Sequence, residues 1–430
     1  MLLRTRRILS LPCVLAAASL VATALPQVSS ASISHPSVVK EDPANFTPNL
    51  QDDAVVANAA TYAFSQSGSM MYTGGEFRTV RNAARTVTYT RYNIMAFNAT
   101  TGAMSTTFVP NINGPVWEIA TSGTAVYVGG QFTTVNGVAR RGVVKLDGTT
   151  GAVDPAFNAA LPSGNVTELW LVGGRLIIGG TFPKRLAALN PATGADTGYI
   201  NIPITGTVAS NAGATGIYRF AVNPAGTRLV AIGNFTTVGG LSRWRAFMLD
   251  LGTSVTVNAW SYAPLRDMCG SPNMPEYLRD VDFSPGGTYF VLVATGYVPL
   301  LQSQIGTHVC DAAARFEVEI TRPTKPTWIN YTGGDTLHSV AVTGAAVYVQ
   351  GHQRWLNNPQ GRNYAGPGAV SRQGIGAIHP STGLALPFNP GKEGGVGGKE
   401  FLATSTGLWV GSDTRYFNGE YREGVVFLPL

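Results

Sequence analysis

One string recurs along the chain, and it constrains the fold more than any other feature. Its clearest copy is residues 125–137, Ala-Val-Tyr-Val-Gly-Gly-Gln-Phe-Thr-Thr-Val-Asn-Gly, and degraded copies centre on Tyr72, Ile178, Ile232, Ala294, Tyr348 and Trp409, which makes seven. A second marker falls once in several units: residues 98–102, 147–151, 190–194 and 379–383 each open on Asn, Asp or His and end on Gly. A short polar side chain bonds its own backbone, and the closing Gly accepts a left-handed conformation, so each marker predicts a tight turn between antiparallel strands. One unit therefore reads as four strands. In the second unit they are residues 116–120, 125–132, 142–146 and 152–157. A period of roughly fifty to sixty residues suits a propeller blade better than a sandwich. Charged residues are only 13% of the chain and Gly numbers 51, which disfavours long amphipathic helices and acidic disordered tails.

The expectation is an all-β, seven-bladed β-propeller of four-stranded antiparallel blades in a single domain, residues 32–430. Both ends of the chain bear on closure. The last unit supplies residues 401–403, 408–411 and 424–428 and then stops one strand short. Residues 44–48, around Phe46, resemble the fourth-strand segments 107–110 and 387–390. An N-terminal strand completing the last blade would close the ring and leave no exposed edges.

Residues 1–31 read as a secretory signal peptide: Arg4, Arg6 and Arg7 precede the apolar run 8–21, and small residues lead to a cleavage site after Ala31 or Ala24. The protein is expected outside the cytoplasm. Of its cysteines, Cys13 lies in the leader, and Cys269 and Cys310 are expected to pair in an oxidising compartment. No other stretch reaches the ~18 apolar residues of a membrane span. The net charge is +6, but three of those arginines are in the leader, so nucleic acid is not an expected partner. Low lysine and the Ala-rich leader point to a bacterial source, in which the sequons at Asn45, Asn98, Asn165, Asn234 and Asn330 would stay bare.

Gly129-Gly130-Gln131-Phe132, Val135-Asn136-Gly137, Arg140 and Asp147-Gly148 resemble the units of the bacterial delta-60 repeat β-propellers. The resemblance is strong in the second unit and weak in the fifth and sixth. It implies a propeller in a secreted or surface protein and carries no catalytic signature, so function has to be argued from sites.

Two sets of residues could form one. The long insertions, residues 81–91, 260–275, 297–309 and 353–373, all fall on one expected face. They and their flanks carry Tyr89, Tyr92, Trp260, Tyr262, Trp355, Arg362 and Tyr364, an aromatic and Arg-rich set suited to a glycan, a cell-wall polymer or an extracellular protein. The same side chains would equally serve to pack those loops on themselves. On the inner strands, Glu118, Glu168 and Glu400 occupy one repeat position and should converge on the channel, with Arg219, Asp280, Asp282 and His338 nearby. Carboxylates so placed could hold a cation or hydrolyse a glycoside. They could also simply line a water-filled channel. Phe77, Phe132, Phe182, Phe235 and Phe417 should fill the gaps between blades, and Arg85, Arg140, Arg243 and Arg422 should bond neighbouring loop carbonyls. Metal-ligand spacings, a nucleophile elbow, a phosphate loop and a dinucleotide fingerprint are all missing from the sequence. The expected function is a monomeric binding or scaffold module without cofactor, and the alternative is a polysaccharide hydrolase or lyase.

Overall fold

The computed structural model describes residues 33–209, 211–275, 277–393 and 397–430, so the leader and its cleavage site lie outside the described residues. The chain is all-β. Among the described residues seven principal sheets follow one another, beside five small ones built from strands of two or three residues, and each principal sheet opens with a hairpin of two long strands: Ala60–Ser67 with Met70–Glu76, Val116–Ser122 with Ala125–Gly130, Val166–Val172 with Arg175–Gly180, Gly216–Val222 with Arg228–Asn234, Leu278–Phe283 with Tyr289–Ala294, Leu337–Val342 with Val347–Gly351, and Gly398–Thr404 with Gly407–Ser412. A third strand pairs antiparallel with the second in every principal sheet, Val143–Asp147 in the second and Val425–Pro429 in the seventh.

The fourth strand is weaker than the sequence suggested. It is a full strand only at Val255–Val257 and Trp328–Tyr331, while in the second sheet it shrinks to a single bridge from Leu146 to Val153. Proline accounts for part of the difference: Pro155, Pro110 and Pro390 fall in these segments and supply no ladder N–H, while the third sheet's segment is reduced to a bridge from Leu189 to Asp196 without one. The turn markers behave as expected. Asp147 Oδ1 accepts the Thr149 and Thr150 N–H groups, and Gly151 closes the turn at φ +72°.

Neighbouring sheets meet across the paired glycines of the repeat. A Cβ on Gly74 would lie 2.3 Å from Val116 Cγ1, so the second sheet's first strand approaches closely only because that side chain is missing. The first strands pack on each other in chain order, and Gly398–Thr404 of the seventh sheet packs on Ala60–Ser67 of the first. At this last junction a Cβ on Gly411 would lie 2.8 Å from Thr61 Cγ2, and Trp409 packs on Phe64 and Phe97 with ring centroids 6.0 and 5.7 Å apart. The N-terminal segment follows the outer edge of the seventh sheet. Lys40 and Ala44 donate their N–H groups to the Pro429 and Phe427 carbonyls at 2.8 Å, and Phe46 packs on Trp409 and Phe427. Phe77, Phe132, Phe182, Phe235 and Phe417 are all buried, as their recurrence predicted.

The recurring arginine does bond loop carbonyls, with one change of residue. Arg140, Arg243 and Arg422 each donate Nη1 to the preceding residue's carbonyl. In the first unit Arg91 does this rather than Arg85, which instead lies over the Tyr421 ring at 4.5 Å; Arg372 takes the place in the sixth. The insertion at 81–91 displaced the alignment by a few residues.

Cys269 and Cys310 are disulfide-bonded, with Cα atoms 5.7 Å apart. The adjoining 260–275 insertion is organised around Arg245, which is fully buried and donates to the Leu265 and Pro275 carbonyls while lying over the Tyr277 ring. That packing overturns two residues of the expected binding face. Trp260 is 0% and Tyr262 4% exposed: Trp260 sits against Phe290 and Phe316, filling between sheets four and five the slot that Phe108 and Phe157 fill elsewhere. Tyr262 packs on Phe316 and donates its hydroxyl to the Thr307 carbonyl.

Candidate functional site

A backbone irregularity, repeated in every principal sheet, builds the centre of the molecule. The first strand shifts register against the second between Thr61 and Ala63, Val116 and Glu118, Val166 and Glu168, Ile217 and Arg219, Leu278 and Asp280, Leu337 and Ser339, and Gly398 and Glu400. Each shift is a β-bulge, in which one extra residue on the bulged strand faces a single partner. The second glycine of the Gly-Gly pair makes room for it: a Cβ on Gly130 would lie 2.2 Å from the Pro115 carbonyl oxygen. The bulge turns two consecutive residues inward where a regular strand would turn one. Two stacked layers of side chains result.

The deeper layer contains the carboxylates singled out from the sequence, and the structure brings all three together. Arg219 Nη1 lies 3.0 Å from both Glu118 Oε2 and Glu168 Oε2, and its Nη2 is 3.4 Å from Glu400 Oε2. Asp280 belongs to the same group but spends its oxygens on the Val281 and Val340 N–H groups, and Asp282 accepts from Val342. Burial pushes Glu168 up to about 7 and Asp280 up to about 6, against the opposing pull of Arg219. Glu118 and Glu400 are also raised, by burial first and by their neighbouring carboxylates. Burial opposes the charge on Arg219, and the surrounding carboxylates more than offset it, so its pKa is raised further. The guanidinium occupies the position that the sequence reading left open for a bound cation. Among the described residues no cluster of three or more His, Cys, Asp or Glu side chains is arranged to hold a metal.

On the side of the first-to-second-strand turns this layer opens into a cavity of about 330 Å³, bordered by Trp170, Phe220 and Phe401. Ile33 reaches its rim, anchored by His35, whose Nε2 bonds the Thr404 carbonyl. On the opposite side, the upper layer of bulge residues, Tyr62, Trp117, Thr167, Tyr218, Arg279, His338 and Lys399, lines a second cavity of about 240 Å³ together with Arg219 of the deeper layer. Of the seven bulge residues only His338 was noted from the sequence. The signal was present, since each of the seven immediately precedes the repeat position of Glu118.

The remaining loop residues are scattered rather than assembled. Tyr364 is 57% exposed and Arg362 is exposed, whereas Tyr89, Tyr92 and Trp355 are half-buried beneath Arg91, Arg78 and Arg354. Asp335 fixes Arg354 through both oxygens, so that arginine is held in place over Trp355. The five arise from two separate insertions, Tyr89 and Tyr92 from the first unit and Trp355, Arg362 and Tyr364 from the sixth.

The comparisons with known proteins speak to the fold alone. No family model matches the chain, and no curated protein matches it. Among solved structures, the RRP9 WD40 repeats align with a TM-score of 0.53 at 11% identity, over 90% of this chain and 98% of that one. The computationally designed Ika8 protein aligns at 0.48 and 12% identity, over 89% and 98% of the two chains. The Myceliophteria thermophila Cps50 (Swd1) β-propeller domain aligns at 0.43 and 11% identity, over 67% and 79%. With the succession of sheets, the likeness to the RRP9 WD40 repeats gives the class: an all-β chain with a propeller-like fold. Among the described residues no helix is long and apolar enough to cross a membrane.

Proposed function

We propose that the chain is a secreted, seven-bladed β-propeller of the delta-60 repeat kind, closed by residues 40–46 lying on the last blade, that acts as a binding module for an extracellular polymer. Seven successive sheets, the packing of Trp409 on Phe64 and Phe97, and the hydrogen bonds from Lys40 and Ala44 support the closed ring. The arginine-led leader and the disulfide support secretion. The ligand enters at the channel mouth on the side where the first strands begin. The observation that carries this reading is the upper bulge layer, in which half-buried Tyr62, Trp117 and Tyr218 line a cavity with basic residues opposite. Aromatic faces beside basic groups are the chemistry by which open sites hold sugar rings and chain polymers.

A second reading, a polysaccharide hydrolase or lyase, is favoured by Glu168, whose carboxyl is held near 7 where a general acid would operate. Its engagement with Arg219 and with the Trp170 indole weighs against it, because both oxygens of Glu168 are already shared. Arrays of glycans and cell-wall polymers, probed with the mature protein and with Trp117→Ala and assayed in parallel for product release, separate the two. Capture that is lost in Trp117→Ala without turnover is expected. Turnover abolished by Glu168→Gln would overturn the binding-module reading.

A further inference from the structure

The seven bulge positions are not chemically uniform around the ring. Sheets one to four contribute Tyr62, Trp117, Thr167 and Tyr218, and sheets five to seven contribute Arg279, His338 and Lys399 in succession. The mouth is therefore divided into a neutral, largely aromatic arc and a basic arc.

The basic arc lacks ion-pair partners. Among the described residues neither Arg279 nor Lys399 forms a salt bridge, and Arg279 Nε is buried without a hydrogen bond. Behind them Lys392 is 2% exposed, and its Nζ has no partner either. Burial, with Lys399 nearby, lowers Lys392 to about 8 against the opposing pull of Asp413. Burial first, and then Lys399, Arg279, His352 and Lys392, push the His338 imidazole well below its usual range, and its ring stacks on His352 at 5.9 Å.

The nearby carboxylates do not pair with them directly. Asp413 accepts from the Gly397 N–H and from Asn58 and pulls on Lys392 and Lys399 only from beyond ion-pair distance, and Asp335 is taken by Arg354. Burial pushes the Asp311 carboxyl well above the usual carboxylate range, against the opposing pull of Arg279, and no ion pair joins the two. Beneath the mouth, Glu118, Glu168 and Glu400 are gathered on Arg219. Cations left unpaired in a partly desolvated cavity are costly unless an anion completes them.

We propose that this cavity takes a carboxylate-bearing saccharide, with the carboxylate on Arg279 and Lys399 and the face of the ring on Trp117 and Tyr62. The assignment rests on the channel mouth being the ligand site and adds the ligand's charge to it. Guanidinium presents paired donors that match a carboxylate, and Lys399 adds a point charge beside it. A volume of about 240 Å³ admits one sugar residue of a chain and leaves its neighbours outside.

Calorimetric titration tests this with galacturonate and hyaluronate tetrasaccharides and their carboxyl-reduced counterparts, using the mature protein and the variants Lys399→Gln, Arg279→Gln and Trp117→Ala. At least one acidic form is expected to bind ten or more times tighter than its reduced counterpart. Lys399→Gln and Arg279→Gln should each shrink that ratio to within about threefold, with unchanged melting temperatures. Failure of both acids to bind, or equal affinity for acid and reduced forms, overturns the carboxylate assignment. If acid and reduced forms bind equally and both are lost in Trp117→Ala, the mouth remains the ligand site while its charge preference falls. Binding indifferent to all three substitutions removes both.

Discussion

Arg219→Met isolates what holds the inner layer of carboxylates together. Methionine keeps much of the side-chain volume and removes the charge, so the ion pairs at 3.0, 3.0 and 3.4 Å to Glu118, Glu168 and Glu400 are lost together. Taking one partner from a buried ionic cluster costs about 3–5 kcal/mol, because the remaining charges stay buried without compensation. With unfolding entropy of roughly 2.1 cal/mol/K per residue over about 400 residues, that cost lowers Tm by about 4–6 °C. The loss depends on pH, and its sign follows from the raised carboxyls. A carboxyl whose folded pKa is raised binds protons in the native state that the unfolded chain releases, so native stability is gained as pH falls through that pKa. Glu168 near 7 and Asp280 near 6 place the window between about pH 8 and pH 5. Removing Arg219 raises both carboxyls further and enlarges the gain. Scanning calorimetry should find the full deficit at pH 8 and a clearly smaller one at pH 5. An equal deficit at both pH values, or none, would refute the account of Arg219 as counter-ion to the cluster.

Three other perturbations probe the fold. Deleting residues up to Leu50 removes Phe46 from Trp409 and frees the edge of Val425–Pro429, so Tm should fall and Trp409 emission should shift to the red; a truncated chain as stable as the full one contradicts closure. Gly130→Ala puts a methyl 2.2 Å from the Pro115 carbonyl and should cost about 1–3 kcal/mol by urea denaturation, whereas Gly286→Ala, with nothing within 4 Å, should be silent. Replacing Cys269 and Cys310 by serine opens a 41-residue loop for which chain entropy sets a ceiling of about 4 kcal/mol. Because the bridge joins the two connections that flank the fifth sheet's hairpin rather than the strands themselves, hydrogen exchange should quicken in 263–275 and 297–309 while the sheets keep their protection. Alkylation of denatured, unreduced wild-type protein should label neither cysteine.

Much of the architecture was legible because the chain repeats. Glu118, Glu168 and Glu400 could be placed side by side without a structure, since equivalent positions of a repeat meet at its centre. Their neutralisation by Arg219 was harder to see, because it depends on which residue the fourth unit places at that same position. The bulges were not legible as geometry: one extra residue changes a strand's register without changing its composition, so Trp117, Arg279 and Lys399 passed for ordinary strand residues. Trp260 and Tyr262 were misplaced for a different reason. A long insertion was taken to present its aromatics outward, but Arg245 and the disulfide fold this one into a small core of its own. Arg85 was mistaken for Arg91 because the longest insertion of the first unit lies just before the conserved spacing resumes.

A crystal structure of the mature protein tests the central claim most directly, at the junction of the first and seventh sheets. The account predicts seven blades, with Trp409 between Phe64 and Phe97, residues 40–46 along the outer edge of Val425–Pro429, and the side chains of Trp117, Arg279 and Lys399 facing one another across an open mouth. A gap between the first and last sheets, or an N-terminal segment lying elsewhere, would contradict it.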